Sequence, residues 1–245
     1  MSVTNFHDPQ LASRWMATIE RIRRAEAYYG RREGAVELLA VSKTFPPTSI
    51  RQVAELGQRR FGENYVQEAL PKLHSLSDLC LDWHFIGHIQ SNKTAAIAEH
   101  FNWVHSVDRL KIAQRLSSQR PSKLAPLQIC LEVNLSAERS KSGCDIQTLP
   151  ALALEIAKLP NLQLRGLMAL PAPADDGAIQ RAAFRRLRIA MEDLIALGIP
   201  LDTLSMGTSG DLEAAIAEGA TLVRVGTAIF GERGKRGRPA SESAA

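Results

Sequence analysis

The sequence has few cysteines, and their spacing excludes two common roles. Cys80, Cys130 and Cys144 are an odd number of thiols, and no two of them form a Cys-x-x-Cys pair. Disulfide frameworks need an even set of cysteines, and structural zinc sites need closely spaced pairs. We therefore expect buried thiols that take part in neither.

Long apolar runs are also absent. Stretches such as LLAV at residues 38–41 and ICLEVNL at residues 129–135 are far shorter than the roughly 20 residues that cross a bilayer. The N-terminus lacks the basic-then-apolar pattern of a signal peptide. No membrane partner is expected, and the cytoplasm is the predicted location.

A strong charge of one sign is missing too. The formal net charge is +4, and residues 232–245 contribute +2 of it through four Lys/Arg and two Glu. The remaining charge is too small for a nucleic-acid-binding surface, so we predict no nucleic acid partner. With 45% hydrophobic residues in 245, the chain can bury a sizeable core.

A regular alternation of short apolar runs and helix-compatible stretches fills most of the chain. Several runs are continuously apolar, which is typical of parallel strands that are buried on both faces. The chain has eight strand candidates in all, which predict an α/β fold of the (β/α)8 TIM-barrel type, in a single domain over residues 1–232. The strand candidates are residues 36–43, 60–64, 84–90, 103–107, 127–134, 162–169, 204–207 and 222–225.

The two ends of the chain differ from this pattern. Asp8 and Pro9 predict the start of an extra N-terminal amphipathic helix, and Gly30 predicts its end. Residues 233–245 are polar and without periodicity, so we expect a disordered tail, with a basic interaction tail as the alternative. The apolar positions of the helix are Leu11, Trp15, Ile19 and Ile22.

Lys43 closes the first apolar run, where a barrel gathers its functional residues. A lysine at a strand end can simply extend to water. If the lysine is instead held among apolar groups, its pKa can fall, and the neutral amine that Schiff-base formation requires becomes available. Lys43 is thus a candidate for bonding an aldehyde.

Two further strand ends carry polar groups. Asn64 follows the second strand and can hydrogen-bond a ligand, whereas Glu63 is interpreted as a helix cap. His84 and His88 suggest a metal, but no carboxylate or third histidine lies at ligand spacing. We interpret both histidines as packing or surface residues.

The last two strands each end in a turn of glycines and hydroxyl residues, SMGTSGD at 205–211 and RVGTAIFG at 224–231. Exposed N–H groups at a helix start, with the Thr208 and Ser209 hydroxyls, can hold a phosphate. Loops after strands seven and eight are the recurrent phosphate site of this barrel. Since strand one adjoins strand eight, Lys43 should lie across the barrel mouth from this site and beside Arg224. A phosphate site together with a Schiff-base lysine describes a site for pyridoxal 5′-phosphate (PLP).

The motifs AVSKTFP, FGENYVQE, WHFIGHIQSNK, SMGTSGD and VRVGTAIFG occur in this order along most of the chain. In these motifs the sequence resembles the YggS/PROSC family of PLP homeostasis proteins, which is similar in fold to the barrel domain of alanine racemase. The resemblance implies a Schiff base on Lys43 and an Asn64 side chain in the cofactor pocket. It also implies phosphate contacts from Ser209, Gly226 and Thr227, and an approach of Arg224 to the pyridine nitrogen.

The implied place of Arg224 bears on activity. An always-protonated guanidinium beside the ring nitrogen disfavours protonation of that nitrogen, which makes the ring a poorer electron sink. Racemases of this fold add a second acid/base from another domain, and we see no room for one here. Racemase activity and the racemase type of dimer are therefore not expected, and a monomer is predicted.

Two residues leave details open. The sequence departs from the family pattern at Thr208, where methionine is common, so the resemblance does not define the packing around the phosphate. Lys141 falls in a recurrent family segment and is either an accessory basic contact or a solvated loop lysine.

Three functions remain in competition. The preferred one is a PLP-binding protein without strong catalytic activity that stores the cofactor or delivers it to PLP-dependent enzymes. The second is a PLP-dependent amino-acid racemase-like enzyme. The third is a Schiff-base aldolase or phosphosugar enzyme, in which the phosphate belongs to the substrate and the purified protein is colourless.

Overall fold

The computed structural model describes residues 8–136 and 142–232, and in it eight parallel strands close into a barrel. Closure is completed by the pairing of β4 with β5, and β1 lies between β2 and β9. The predicted (β/α)8 barrel is confirmed. The barrel strands are β1 (Glu37–Val41), β2 (Arg60–Glu63), β3 (Asp82–Phe85), β4 (Trp103–Val107), β5 (Leu127–Asn134), β7 (Leu162–Met168), β8 (Thr203–Ser205) and β9 (Leu222–Val225), and a two-residue β6 (Cys144–Asp145) pairs with the end of β5.

Helices follow the strands and cover the outside of the barrel. Parallel strands that are buried on both faces explain why β1 and β5 read as continuous apolar runs. None of the helices in the described parts of the chain is long and apolar enough to span a bilayer. The helices are α1 (Pro9–Tyr28), α2 (Pro47–Glu55), α3 (Val66–Ser75), α4 (Thr94–His100), α5 (Leu110–Gln119), α6 (Leu149–Ile156), α7 (Gly177–Ala196), α8 (Leu212–Ala217) and α9 (Thr227–Phe230).

The extra N-terminal helix is present as predicted. The Asp8 side chain accepts a hydrogen bond from the backbone N–H of Gln10 and caps α1, and Gly30 follows the helix with a φ of +66°. Arg14 Nε donates to the Ile229 carbonyl oxygen at 2.7 Å. This contact joins α1 to α9 at the end of the barrel that carries the site.

Three expectations about local structure are wrong. The third strand ends at Phe85 and not at residue 90, because the following chain must pass the loop after β2. Lys43 lies in a turn two residues after β1, not on the strand. Cys80 is exposed, since it lies in the loop between α3 and β3, whereas Cys130 and Cys144 are buried as expected.

Candidate functional site

One pocket of about 250 Å³ opens at the carboxyl ends of the barrel strands. The structure brings all six predicted site residues to its lining, although they come from four separate parts of the chain. Five further residues complete the wall, and three of them are large apolar side chains. The predicted residues are Lys43, Asn64, Ser209, Arg224, Gly226 and Thr227, and the others are Val41, Phe45, Ile86, Leu170 and Thr208.

Lys43 is half-buried in a tight turn after β1. The backbone N–H of Phe45 donates to the Ser42 carbonyl oxygen at 3.1 Å and closes the turn. Thr44 has a φ of +70°, a left-handed conformation that a β-branched residue rarely adopts. The turn therefore needs support from its surroundings to present Lys43 to the pocket.

That support is a buried ionic cluster that sequence reasoning missed. Lys72 Nζ donates to Glu63 Oε1 at 2.9 Å, to Glu68 Oε1 at 2.6 Å and to the Ser42 carbonyl oxygen at 3.0 Å. The Ser42 hydroxyl donates to Glu63 Oε1 at 2.6 Å. The N–H of Thr44 donates to Glu68 Oε1. These contacts join the Lys43 turn to Lys72 and to the two carboxylates on either side of it.

The role expected for Glu63 is therefore wrong. Its side chain is fully buried and does not cap α3, because it turns inward to Lys72 and Ser42. Burial raises the pKa of the Glu63 carboxyl, and the Lys72 charge and the Ser42 hydrogen bond oppose that rise. The one signal in the sequence was the spacing of Glu68 and Lys72, four residues apart on one helix.

Asn64 faces the pocket from the loop after β2. Its Oδ1 atom is buried and has no hydrogen-bond partner among the described residues. A β-carbon on Gly87 would lie 2.0 Å from the Asn64 carbonyl oxygen, so only glycine fits there. A buried acceptor that lacks a partner is a position where a ligand donor can bind.

The turn between β8 and α8 supplies Ser209 and Thr208. The N–H and the hydroxyl of Thr208 both donate to Asp211 Oδ1, at 2.5 Å and 2.8 Å. The Thr208 hydroxyl therefore donates its proton to Asp211, whereas the sequence predicted that it would contact an anion. Arg21 of α1 holds the turn from outside, through Nη1 to the Ser209 carbonyl oxygen at 2.8 Å and through an ion pair with Glu213.

The second hydroxyl turn, Gly226 and Thr227, lies beside the Lys43 turn. Leu39 and Ala40 of β1 pair with Arg224 and Val225 of β9, as the closed barrel predicts. Gly226 immediately precedes α9, and the first N–H groups of a helix have no partner within it. These donors can serve an anion in the pocket.

Arg224 lines the pocket and is 4% exposed. Its Nη1 donates to the carbonyl and hydroxyl oxygens of Ser205 at 2.6 Å and 2.8 Å, and its Nη2 to the Ala169 carbonyl at 3.0 Å. Burial lowers the pKa of the guanidinium to about 10. Arg224 thus remains a cation at neutral pH.

The remaining sequence candidates lie elsewhere. His84 is buried inside the barrel and His88 is exposed. Within residues 8–136 and 142–232, no group of three or more His, Cys, Asp or Glu side chains is placed to hold a metal ion. Lys141 and the predicted tail of residues 233–245 lie outside the described residues.

A lysine amine, a buried cation, apolar walls and two hydroxyl turns therefore surround one small space. The lysine suits a carbonyl carbon, and the turns suit an anion. Together they suit a small, phosphorylated carbonyl compound with an aromatic ring, and the acceptor Asn64 Oδ1 suits a ligand hydroxyl. The residues present fit PLP.

Comparison with known proteins agrees with this geometry. The model of the family described as alanine racemase, N-terminal domain, matches residues 17–234. A pyridoxal phosphate homeostasis protein of Pseudomonas aeruginosa is 62% identical over 221 residues, which are 90% of this chain and 94% of that protein. Its counterpart in Escherichia coli K12 is 48% identical, over 87% of this chain and 93% of the relative.

Solved structures include the same kind of protein. PipY of Synechococcus elongatus PCC7942, solved with PLP bound, has a TM-score of 0.77 and 39% identity to this chain, and the match covers 86% of this chain and 100% of PipY. The chain therefore belongs to the alanine racemase N-terminal domain family and, within it, to the pyridoxal phosphate homeostasis proteins.

Proposed function

We propose that this chain binds PLP covalently through Lys43 and holds it for PLP homeostasis, without strong catalytic activity. The observation that carries the proposal is the convergence of Lys43, both hydroxyl turns and Arg224 on one pocket. The relatives named for PLP homeostasis and the PLP-bound PipY support it.

Each residue has a defined part in this proposal. Lys43 Nζ bonds the aldehyde carbon, and the backbone and hydroxyl donors of Ser209, Gly226 and Thr227 hold the phosphate. Asn64 accepts a hydrogen bond from the ligand. When bound, PLP supplies an electron-withdrawing ring, and Arg224 limits that capacity because its fixed positive charge disfavours a proton on the ring nitrogen.

A weak electron sink suits storage or transfer of the cofactor better than turnover of amino acids. The proposal therefore places the chain in the cytoplasm, as a monomer that exchanges PLP with PLP-dependent enzymes. The support for a limited catalytic role is the buried Arg224 cation in the pocket lining, whose hydrogen bonds to described residues go to uncharged oxygens.

The test compares wild type, Lys43→Ala and the exposed control Lys158→Ala. Absorbance spectra are recorded with and without PLP, followed by borohydride reduction and peptide mass mapping. We expect an imine band and a reduced adduct on Lys43 in wild type and control, and neither in Lys43→Ala. Wild type without bound PLP would favour a phosphorylated carbonyl substrate, and D-alanine formed from L-alanine would favour the racemase-like enzyme.

A further inference from the structure

A series of polar side chains leads from Arg224 through the interior of the barrel. Arg224 Nη1 lies 2.8 Å from Ser205 Oγ, which lies 2.7 Å from His105 Nδ1. His105 Nε2 lies 2.8 Å from His84 Nδ1. His84 Nε2 has no hydrogen-bond partner among the described residues but lies 3.3 Å from Asp82 Oδ2. Ser205, His105 and His84 are fully buried, and no part of the proposed function uses the two histidines.

The direction of these hydrogen bonds follows from the two ends of the series, a guanidinium and a carboxylate. A guanidinium only donates, so Ser205 Oγ accepts from Arg224. With one lone pair taken by Arg224, the Ser205 hydroxyl either donates its proton to His105 Nδ1 or accepts a second hydrogen bond from it. The Asp82 carboxylate at the other end of the series favours the first direction. The proton of His105 is on Nε2 and is donated to His84 Nδ1. His84 in turn carries its proton on Nε2, toward the Asp82 carboxylate.

The opposite direction is unfavourable. It would place an unprotonated His84 Nε2 3.3 Å from a carboxylate oxygen, so two electron-rich atoms would face each other. The alternative is a buried imidazolium, but burial lowers the pKa of His84 and lowers that of His105 well below its usual value. Both imidazoles are thus neutral, with the proton on Nε2.

This arrangement fixes the cation through hydrogen bonds to uncharged oxygens. The hydrogen bonds of Arg224 go to two carbonyl oxygens and one hydroxyl. A carboxylate in place of Ser205 would hold the guanidinium equally well, but it would compensate the charge. Ser205 accepts from Arg224 through a lone pair, and in the favoured direction its hydroxyl proton is held by His105 Nδ1.

We infer that Ser205, His105 and His84 are positioning residues that orient the Arg224 guanidinium toward the ring nitrogen of bound PLP without a carboxylate in direct contact with it. This inference rests on the proposed function. With Ser205, His105 and His84 included, the site extends from the pocket lining into the barrel interior.

The first test needs no cofactor. In long-range ¹H–¹⁵N spectra of the ¹⁵N-labelled full chain at pH 7, His84 and His105 are both expected as neutral Nε2–H tautomers. A proton on Nδ1 of His105 would overturn the inference, whatever PLP does. This readout also uses the wild-type chain, so it does not depend on a variant that folds.

The second test measures the ring nitrogen. PLP labelled with ¹⁵N in the ring is added to wild type, Ser205→Ala, His105→Leu and His105→Asn, with Ser117→Ala as the control. Ser117 is a buried serine on α5 that does not line the pocket, and its hydroxyl donates to the Pro160 carbonyl oxygen. We expect Ser205→Ala and His105→Leu to shift the ring ¹⁵N resonance and weaken PLP binding roughly tenfold. His105→Asn, which keeps an acceptor near the Nδ1 position, should restore both values, and Ser117→Ala should change neither.

The outcomes separate the two proposals. Absence of PLP from Lys43 in wild type would overturn the proposed function. Wild type with PLP on Lys43, and a ring resonance that Ser205→Ala leaves in place, would overturn the positioning role alone.

Discussion

Lys72 holds its ammonium group 2.9 Å from Glu63 Oε1 and 3.0 Å from the carbonyl oxygen of Ser42, the residue before Lys43. Both charged side chains are buried. A buried ion pair is costly to form but more costly to break, because the remaining charge has no solvent. The stability of the Lys43 turn therefore depends on Lys72 and Glu63, which do not line the pocket.

Lys72→Met tests this dependence. The variant leaves Glu63 buried without its cation, so we expect the free energy of unfolding to fall by about 3–5 kcal/mol in urea denaturation. The fraction of chains that carry PLP on Lys43 should fall as well. Arg51→Met is the control, because its ion pair with Asp78 is solvent-exposed and should contribute little. Equal effects of the two variants would contradict the prediction.

Asn64→Ala should separate ligand binding from stability. Since Asn64 Oδ1 has no partner among the described residues, its removal costs the ligand-free protein no hydrogen bond at that atom. We expect an unchanged melting temperature without PLP and a roughly tenfold weaker PLP affinity by titration. Asn92→Ala, at an exposed residue of the 3₁₀ turn Ser91–Lys93, is the control. An affinity equal to that of the control would speak against a ligand contact.

Gly87→Ala should disturb the same loop from the other side. The added methyl carbon would lie 2.0 Å from the Asn64 carbonyl oxygen, so the backbone must move. We expect a loss of about 1–3 kcal/mol in the free energy of unfolding, together with weaker PLP binding. Gly177→Ala is the matched control, since a β-carbon there meets nothing within 4 Å. Full stability of Gly87→Ala would show that the two loops are not packed this closely.

Glu132 should give the stability a pH dependence. Burial first, and then the charge of Asp108, raise the pKa of this carboxyl to about 7, against a smaller opposing effect of Arg224. Because the raised pKa belongs to the folded state, the folded chain binds more protons than the unfolded chain between pH 4.5 and 7, and stability falls as pH rises through this window.

Glu132→Gln should remove that fall. The variant and wild type should be similarly stable near pH 5, and the variant should be more stable at pH 8, by up to about 3 kcal/mol in urea denaturation. Glu155→Gln on α6, an exposed residue, should leave the pH profile of wild type in place. A wild-type profile that is flat from pH 5 to 8 would contradict the raised pKa.

Much of the fold could be predicted because its signals are local. Apolar runs such as residues 38–41 and 129–133 identify buried parallel strands, and their number identifies the barrel. The end of the third strand was misplaced because its cause is not local. Residues 86–90 look compatible with a strand, but the contact that ends it comes from Asn64 against Gly87.

The pocket lining could be predicted for a related reason. Parallel strands in a closed barrel bring their carboxyl ends together, so polar residues at strand ends converge without any knowledge of side-chain contacts. The residues behind the lining could not be found this way. His105 and Ser205 are 100 positions apart, and Lys72 and Ser42 are 30 apart. No periodicity in the sequence indicates such pairs, because the closed barrel brings their residues together.

Arg21 connects the extra N-terminal helix to the pocket, through the Ser209 carbonyl oxygen and Glu213. Ligand binding at the Ser209 turn and packing of α1 on the barrel therefore share one set of contacts. Any coupling free energy between the two acts equally in both directions, because such coupling is reciprocal. The helix that a bare (β/α)8 barrel does not need is thus part of the framework that holds the Ser209 turn.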